Sequence, residues 1–405
     1  MDTQNTPIHL RLWHREFWFL TFANFLLSAS VYMMLIADAC WLNNVRHCDA
    51  LTLGCVIASY GIGLYIFGPY CSWLVGRYRR SAVCKNAILG ISLIIAITCF
   101  LQTKYVSFSV PIFFFFLLRF VLGAFFGLAQ MVISSTLVVD KCESFQRTEA
   151  NHHAAWFSRF AMSIGPMFAV ILLSFQKPFL SLININIESL TFNVYFVALV
   201  LSLLSIMLLE MVNFPFRAPD DNMKRFSLDR FFLPRGTLLF INLMLITSVV
   251  GIIYMIDMPA MFYAMMMVGF FLALLAEIFV FADADLKSEA ITGLIVLGAA
   301  FLMMLTSQER VVAYLAPLFI GFGIGIIGSR FLLFFIKLSD HCQRGTSQST
   351  FFLSWETGIA IGTFIGCLLH NDHRLSLEVG FLLIIVAFVL YNFFVHSWFL
   401  KHKNR

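Results

Sequence analysis

Read from its N-terminus, the chain alternates between long apolar runs and short polar breaks. The runs reach around 20 residues, the length a helix needs to cross about 30 Å of hydrocarbon. Breaks at charged and turn-forming residues predict twelve helical spans over 17–37, 51–75, 82–101, 110–138, 154–175, 191–212, 236–256, 260–281, 289–306, 311–336, 350–370 and 378–399. The longest polar break among them, FPFRAPDDNMKRFSLDRFFLPR (214–235), falls midway. It divides the chain into a first half of six spans (1–212), a connecting loop (213–235) and a second half of six (236–405). The expected fold is therefore an all-α polytopic membrane protein built as two six-helix bundles.

Composition agrees with that reading. Hydrophobic residues make up 60% of the chain and charged residues 12%, whereas a soluble domain carries about 25% charged residues. The polar lead MDTQNTPIHLRLWHRE runs straight into a full-length span without a small-residue cleavage site, so no cleavable signal peptide is expected. With both ends on one side, 19 Lys and Arg fall on that side, 3 lie within spans, and 5 fall opposite (Arg46, Lys104, Lys177, Arg310 and Arg374). This asymmetry places both termini in the cytoplasm. The nine Cys form no C-x-x-C pair. Cys40 and Cys48 share a loop, and either a bridge between them or two unpaired thiols fits the sequence.

The halves resemble each other. FANFLLSAS (22–30) in span one matches FINLMLITS (240–248) in span seven. RTEANHHAAWFSRFAMSIGP (147–166) aligns with RGTSQSTFFLSWETGIAIGT (344–363), so Arg147 falls on Arg344, Asn151 on Gln348 and Arg159 on Glu356. A duplicated carrier has such a layout. It also brings two intramembrane charges of opposite sign into register. A carboxylate at bilayer depth is unfavourable by roughly 2.5–3.5 kcal/mol, so Glu356 and Arg159 must face protein or water. Ser349, Glu356 and Thr363 predict one polar stripe on span eleven, and His152, Trp156, Arg159 and Ser163 another on span five.

Twelve spans, a six-plus-six repeat, cytoplasmic ends and a basic central loop together resemble the major facilitator superfamily of secondary transporters. VGRYRRSAV (75–83) is similar to the loop motif of that superfamily, with Arg77, Arg79 and Arg80 in its basic turn and Gly76 where an Asp is expected. ADADLKSE (282–289), with Asp283, Asp285 and Lys287, is its counterpart in the second half. RFVLGAFFG (119–127) resembles the Arg-x-x-x-Gly motif associated with proton coupling, through Arg119 and Gly123. Gly165–Pro166 resembles the Gly-Pro motif of antiporters. VNFPFRAP and SLDRFFLP are similar to phrases in such transporters from Bacteroides-type bacteria, and this resemblance implies a bacterial inner membrane as the location.

Several side chains allow two readings. Glu356 is either a protonatable coupling site or half of a fixed ion pair with Arg119, Arg159 or Arg330. Arg119 and Arg159 either bind an anionic substrate group or serve as counter-ions. Glu277 is the second coupling candidate, near a span end with Asp38, Glu210 and Asp257. Arg330 is read as a snorkelling anchor. The candidate substrate contacts are Arg159, Asn24, Asn242, Trp156, Trp355, Ser349 and Gln130, with interhelical bonding or filling as the alternative for the polar and aromatic ones. Gly321 and Gly325, in GFGIGIIGS, read as packing positions rather than a nucleotide turn.

The function so implied is secondary active transport of a small molecule by alternating access, with a proton gradient as the energy source and no cofactor or metal. Proton-coupled export of an amphipathic or lipophilic compound is favoured. Uptake of a sugar, peptide or organic anion is the alternative, and a non-transporting scaffold or intramembrane enzyme the minor one. No H-E-x-x-H or G-x-S-x-G pattern is present, so no enzyme is expected. The expected partners are a substrate and lipid, without nucleic acid, and the chain is expected to act as a monomer.

Overall fold

The computed structural model describes residues 11–102, 110–174, 191–214, 224–281 and 285–403. Among these, twelve helices are long and apolar enough to cross a membrane: Arg15–Asn44, Ala50–Arg77, Arg80–Leu101, Ile112–Asp140, Arg147–Leu173, Phe192–Glu210, Pro234–Met255, Ala260–Phe279, Leu286–Thr306, Arg310–Leu338, Arg344–Leu368 and His373–His402. They are numbered below as spans one to twelve. The protein is a multi-pass helical membrane protein, and all twelve predicted spans are present. Large apolar side chains such as Phe113, Phe279 and Phe393 stand on its outer surface, where lipid solvates them.

Three boundaries differ from the predicted ones by six or seven residues, each for a physical reason. Span one continues to Asn44 because Asp38, which breaks the apolar run, is buried in an ion pair rather than wetted at a helix end. Spans five and eleven start at Arg147 and Arg344. Their polar lead-ins are helical, and Asn151 and Thr346 to Thr350 are buried against neighbouring helices.

Packing repeats with the halves. Span one lies on spans five and six, span four on two and three, and span three on six. Seven, ten and nine take the same neighbours in the second half: eleven and twelve, eight and nine, and twelve. Span two lies on span eleven and span five on span eight, which joins the halves by two equivalent flanks. Glycine permits the tightest of these contacts. A Cβ on Gly123 would stand 2.0 Å from the Tyr60 carbonyl oxygen, and one on Gly321 would stand 2.0 Å from that of Met266. Spans four and ten thus approach two and eight at equivalent places, backbone to backbone.

Span four also carries a π-helical turn at Ile133–Leu137. The hydroxyls of Ser134, Ser135 and Thr136 donate to the carbonyls of Gln130, Met131 and Val132 at 2.7, 2.6 and 2.5 Å. The run of hydroxyl residues therefore satisfies carbonyls that a widened helix leaves short of donors.

Candidate functional site

A cavity lies at the centre of the molecule, between the halves. Its walls come from Asn24, Ser28 and Tyr32 of span one, Gln130 to Ser134 of span four, Ala154 to Arg159 of span five, and Gln348 to Glu356 of span eleven. Room for water centres totals about 50 Å³, enough for a few water molecules and little else. Arg159 and Glu356, matched by the sequence repeat, thus stand on the walls of one cavity.

Glu356 is 2% exposed. Its Oε1 accepts a 2.5 Å hydrogen bond from the Tyr32 hydroxyl, across the boundary between the halves. The Tyr60 hydroxyl donates to the Glu356 backbone carbonyl at 3.4 Å. Oε2 has no partner, and no basic side chain pairs with this carboxyl group among the described residues. The alternative reading of Glu356, an ion pair with Arg119, Arg159 or Arg330, is therefore not found there.

Arg159 is buried to the same degree, at 2% exposed. Its Nη1 donates to the Gly325 carbonyl at 2.8 Å and its Nε to that of Ala155 at 3.3 Å. Its guanidinium lies 4.0 Å from the centroid of the Trp156 ring. Nη2 has no partner. The indole N–H of Trp156 turns the other way and donates to Glu277 at 3.2 Å.

The other intramembrane charges form two neutralising clusters away from the cavity. In the first half, Arg119 pairs with Asp38, which also accepts from the Tyr195 hydroxyl and, at 3.0 Å, from the Gln102 amide. Thr191 donates to the Gln102 carbonyl at 2.5 Å, and Arg119 Nη2 to the Met34 carbonyl at 2.8 Å. Asp38 is thus no solvated end residue, and Arg119 faces neither Glu356 nor the cavity. In the second cluster, Arg330 pairs with Glu289 and, at 3.1 Å, with Glu277. Glu277 also takes a 2.5 Å hydrogen bond from Ser329 and lies 3.0 Å from His152 Nε2. Arg330 is therefore an ion-paired core residue rather than a snorkelling anchor.

Other candidates separate in the same way. Asn24 donates to Ser158 across the cavity wall at 2.8 Å, and Gln130 donates to Ser28 at 3.0 Å. Asn242 faces away and fixes span seven to span twelve through the Ala387 carbonyl at 2.9 Å. Trp355 lines the cavity, while Trp156 backs Arg159 from outside it. Ser349 and Thr363 are fully buried and do not line the cavity, nor does Ser163, which meets Met267. The heptad stripe on span eleven fails because Glu356 stands at the edge of the cavity-facing sector. Gln348, Phe352 and Trp355 fill the rest of it.

The face carrying the chain ends is closed by polar contacts. Arg80 Nη1 grips both oxygens of Asp140 at 2.7 and 2.8 Å, so an acid at the end of span four stands in for the missing one at position 76. Arg77 and Arg79 border a neighbouring recess with Lys85 and Glu210. The central loop then spans both halves. Asp229 accepts from Ser72 on span two and from Thr346 on span eleven, each at 3.1 Å. The backbone N–H groups of Arg230 and Leu233 donate to Thr346 and Thr350 at 2.8 Å. Gly165 takes its place through packing, since a Cβ there would stand 2.9 Å from the Ala29 carbonyl, and Pro166 lies within span five. Asp285 precedes span nine and is exposed, Lys287 is partly buried in its first turn, and Asp283 lies outside the described residues. Cys40 and Cys48 are both free thiols.

Tyr32, Ser158, Gln348 and the Asp229 contacts escaped the sequence reading. Part of the signal was present: Asn24, Ser28 and Tyr32 are spaced by four and mark one face of span one. Nothing local marks Asp229, because its partners lie on spans two and eleven.

No protein-family model and no curated protein matches the sequence. Solved structures do match. A bacterial homologue of the human lysosomal transporter Spinster, in an inward-facing and occupied conformation, superimposes with a TM-score of 0.70 at 14% identity, over 96% of this chain and 98% of that one. The human organic anion transporter MFSD10 gives 0.65 at 13%, over 93% and 99%. The Escherichia coli fucose:proton symporter gives 0.62 at 13%, over 95% and 99%. The fold is that of the major facilitator superfamily.

Proposed function

We propose that this protein is a proton-coupled secondary transporter that moves a small molecule across the cytoplasmic membrane by alternating access, with both termini inside. The observation that carries this reading is Glu356, a carboxyl group buried in the central cavity, bonded to a phenol and, among the described residues, supplied with no cation. A buried carboxylate without a counter-ion is strongly disfavoured, so the neutral acid is the form a closed cavity accommodates. When the cavity opens, water can solvate the anion and the proton leaves. A carboxyl group that closes protonated and opens to release its proton ties conformation to the proton gradient.

The geometry supports a state closed on both sides. The terminal face is sealed by the Asp229 contacts and by the ends of spans four and eleven, where a Cβ on Gly345 would stand 3.0 Å from the Ser135 carbonyl oxygen. On the opposite face a vestibule of about 430 Å³ descends between Ile36, Tyr254 and Tyr263. Tyr32 and Tyr254, with ring centroids 6.3 Å apart, separate it from the cavity. The Tyr32 hydroxyl is thus both a lid element and the partner of Glu356. Gly165, in the Gly-Pro motif that is one ground for expecting export, packs against Ala29 and Tyr32 of span one, and the sign of the proton movement gives the direction.

The test uses proteoliposomes with a trapped pH dye and a broad compound panel. Wild type is expected to show substrate-dependent proton movement whose sign gives antiport or symport. Glu356→Gln, which keeps an acceptor for Tyr32, is expected to lose that movement while retaining substrate binding. Equal proton movement in both proteins would remove Glu356 from the coupling step.

A further inference from the structure

The buried arginines are not equivalent. Arg119 has Asp38, and Arg330 has Glu277 and Glu289. Arg159, which alone of the three lines the cavity, has neutral partners: two carbonyl oxygens and an indole face. The arginine that has no acidic partner among the described residues is the one that a molecule in the cavity can reach. An uncompensated guanidinium at bilayer depth is unfavourable, and the fork of donors it presents matches a carboxylate or sulfonate.

One internal source of counter-charge needs weighing. Two acids, Glu277 and Glu289, share Arg330, and Glu277 lies beyond the Trp156 ring from Arg159. Its oxygens, however, already receive His152, Ser329, Trp156 and Arg330. The indole that separates it from Arg159 leaves no direct contact, and Arg159 Nη2 remains without an acceptor.

We infer that the substrate is a small amphipathic organic anion whose carboxylate or sulfonate supplies the missing counter-charge of Arg159. This rests on the reading of the cavity as a transport site and names its substrate class. The remaining walls suit such a molecule. Phe351, Phe352 and Trp355 offer apolar faces, while the Gln130, Ser134 and Ser158 side chains supply polar contacts beside them. With the anion on Arg159 and Glu356 protonated, the charges inside the cavity cancel. Anion and proton then cross together, and the two ligands favour one another's binding.

Two measurements on the full-length protein in lipid nanodiscs test this. The first is the thermal midpoint without ligand. Because Arg159 has no acidic partner among the described residues, Arg159→Met is expected to raise it, and Arg159→Gln to leave it level or higher. A lower midpoint for both would assign the counter-charge to the Glu277 cluster and overturn the inference. The second compares benzoate and benzenesulfonate with benzamide and benzenesulfonamide as probes. The anions are expected to stabilise wild type and the amides to bind at least about tenfold more weakly, a difference that Arg159→Gln abolishes and Glu356→Gln keeps. Equal binding of anions and amides, or no stabilisation by either anion, would overturn it too. Failure of the carrier reading looks different: anions would bind through Arg159, yet no proton movement would accompany benzenesulfonate in proteoliposomes. Proton movement driven only by uncharged compounds would keep the carrier and reject the anion.

Discussion

Arg119 is the sharpest place to separate a structural charge from a coupling one. The sequence motif around it suggests proton coupling, whereas its observed partners are Asp38 and the Met34 carbonyl, within the first half of the molecule. Both side chains of the pair are nearly inaccessible, at 4% and 5%. Removing one partner of such a pair leaves a buried charge uncompensated and costs about 3–5 kcal/mol. Arg119→Met leaves Asp38 with only the Gln102 amide and the Tyr195 hydroxyl, and Asp38→Asn leaves Arg119 with one carbonyl. Each is expected to lose stability on that scale. The double variant carries no orphan charge, so its loss is expected to fall below that of either single one, with a coupling energy of at least about 3 kcal/mol.

The exposed pair Lys85–Glu210, at 25% and 60% accessibility, gives the control, with a cost of about 0–1 kcal/mol for Glu210→Gln. Denaturant or thermal titration in nanodiscs reads all four proteins on one scale. Proton movement in proteoliposomes then asks the functional question of the double variant, which is expected to retain it. Additive losses in the double variant would refute the electrostatic account of the pair. A double variant as stable as wild type but without proton movement would restore Arg119 to the coupling path.

Two further outcomes test the gate and the orientation. Asp229→Ala removes acceptors for Ser72 and Thr346; with Asp229 half exposed the clasp weakens by about 1 kcal/mol, so alkylation of a cysteine placed at Ser134 from the terminal face should quicken about fivefold. An unchanged rate would show that the loop does not hold the gate. A membrane-impermeant maleimide should reach exposed Cys342 promptly from the cytoplasmic side. Cys142, on the same face, should react slowly near neutral pH and faster as pH rises, because burial pushes its thiol up to about 11. Labelling of both from the outer side alone would invert the proposed orientation.

The fold was legible because lipid enforces a simple code: each span is a long apolar run, and the duplication writes that code twice. What could not be read was which way each polar side chain turns. Glu356 and Arg159 were found because a charge in an apolar run has no lipid-facing option. Asn24 and Asn242, equivalent in sequence, diverge because span one borders the cavity and span seven meets span twelve there. Asp38 looked like a span end because a lone acid interrupts hydropathy, and its partners Arg119 and Gln102 lie 64 or more residues away. Ion pairs between helices are tertiary facts, invisible to any local window.

The distribution of charge bears on how such a molecule can move. Asp38–Arg119 joins spans one and four of a single half and travels with it. The acid–imidazole contact across the halves, from His152 to Glu277, lies on the flank of spans five and eight rather than in the cavity. Inside the cavity region the links between halves are hydrogen bonds with at least one neutral partner: Tyr32 to Glu356, Arg159 to the Gly325 carbonyl, and Tyr254 to the Met162 carbonyl at 2.7 Å. Bonds of this kind contribute about 0.5–3 kcal/mol each and exchange readily with water. A direct ion pair between Arg159 and Glu356 would bind the halves far more firmly, and opening would have to break it with each cycle. Holding the two charges on one cavity yet apart leaves the closed state only weakly tied by the protein itself. On the proposed transport reading, its occupancy then depends on the groups that would satisfy Arg159 and Glu356 from outside, an anion for one and a proton for the other.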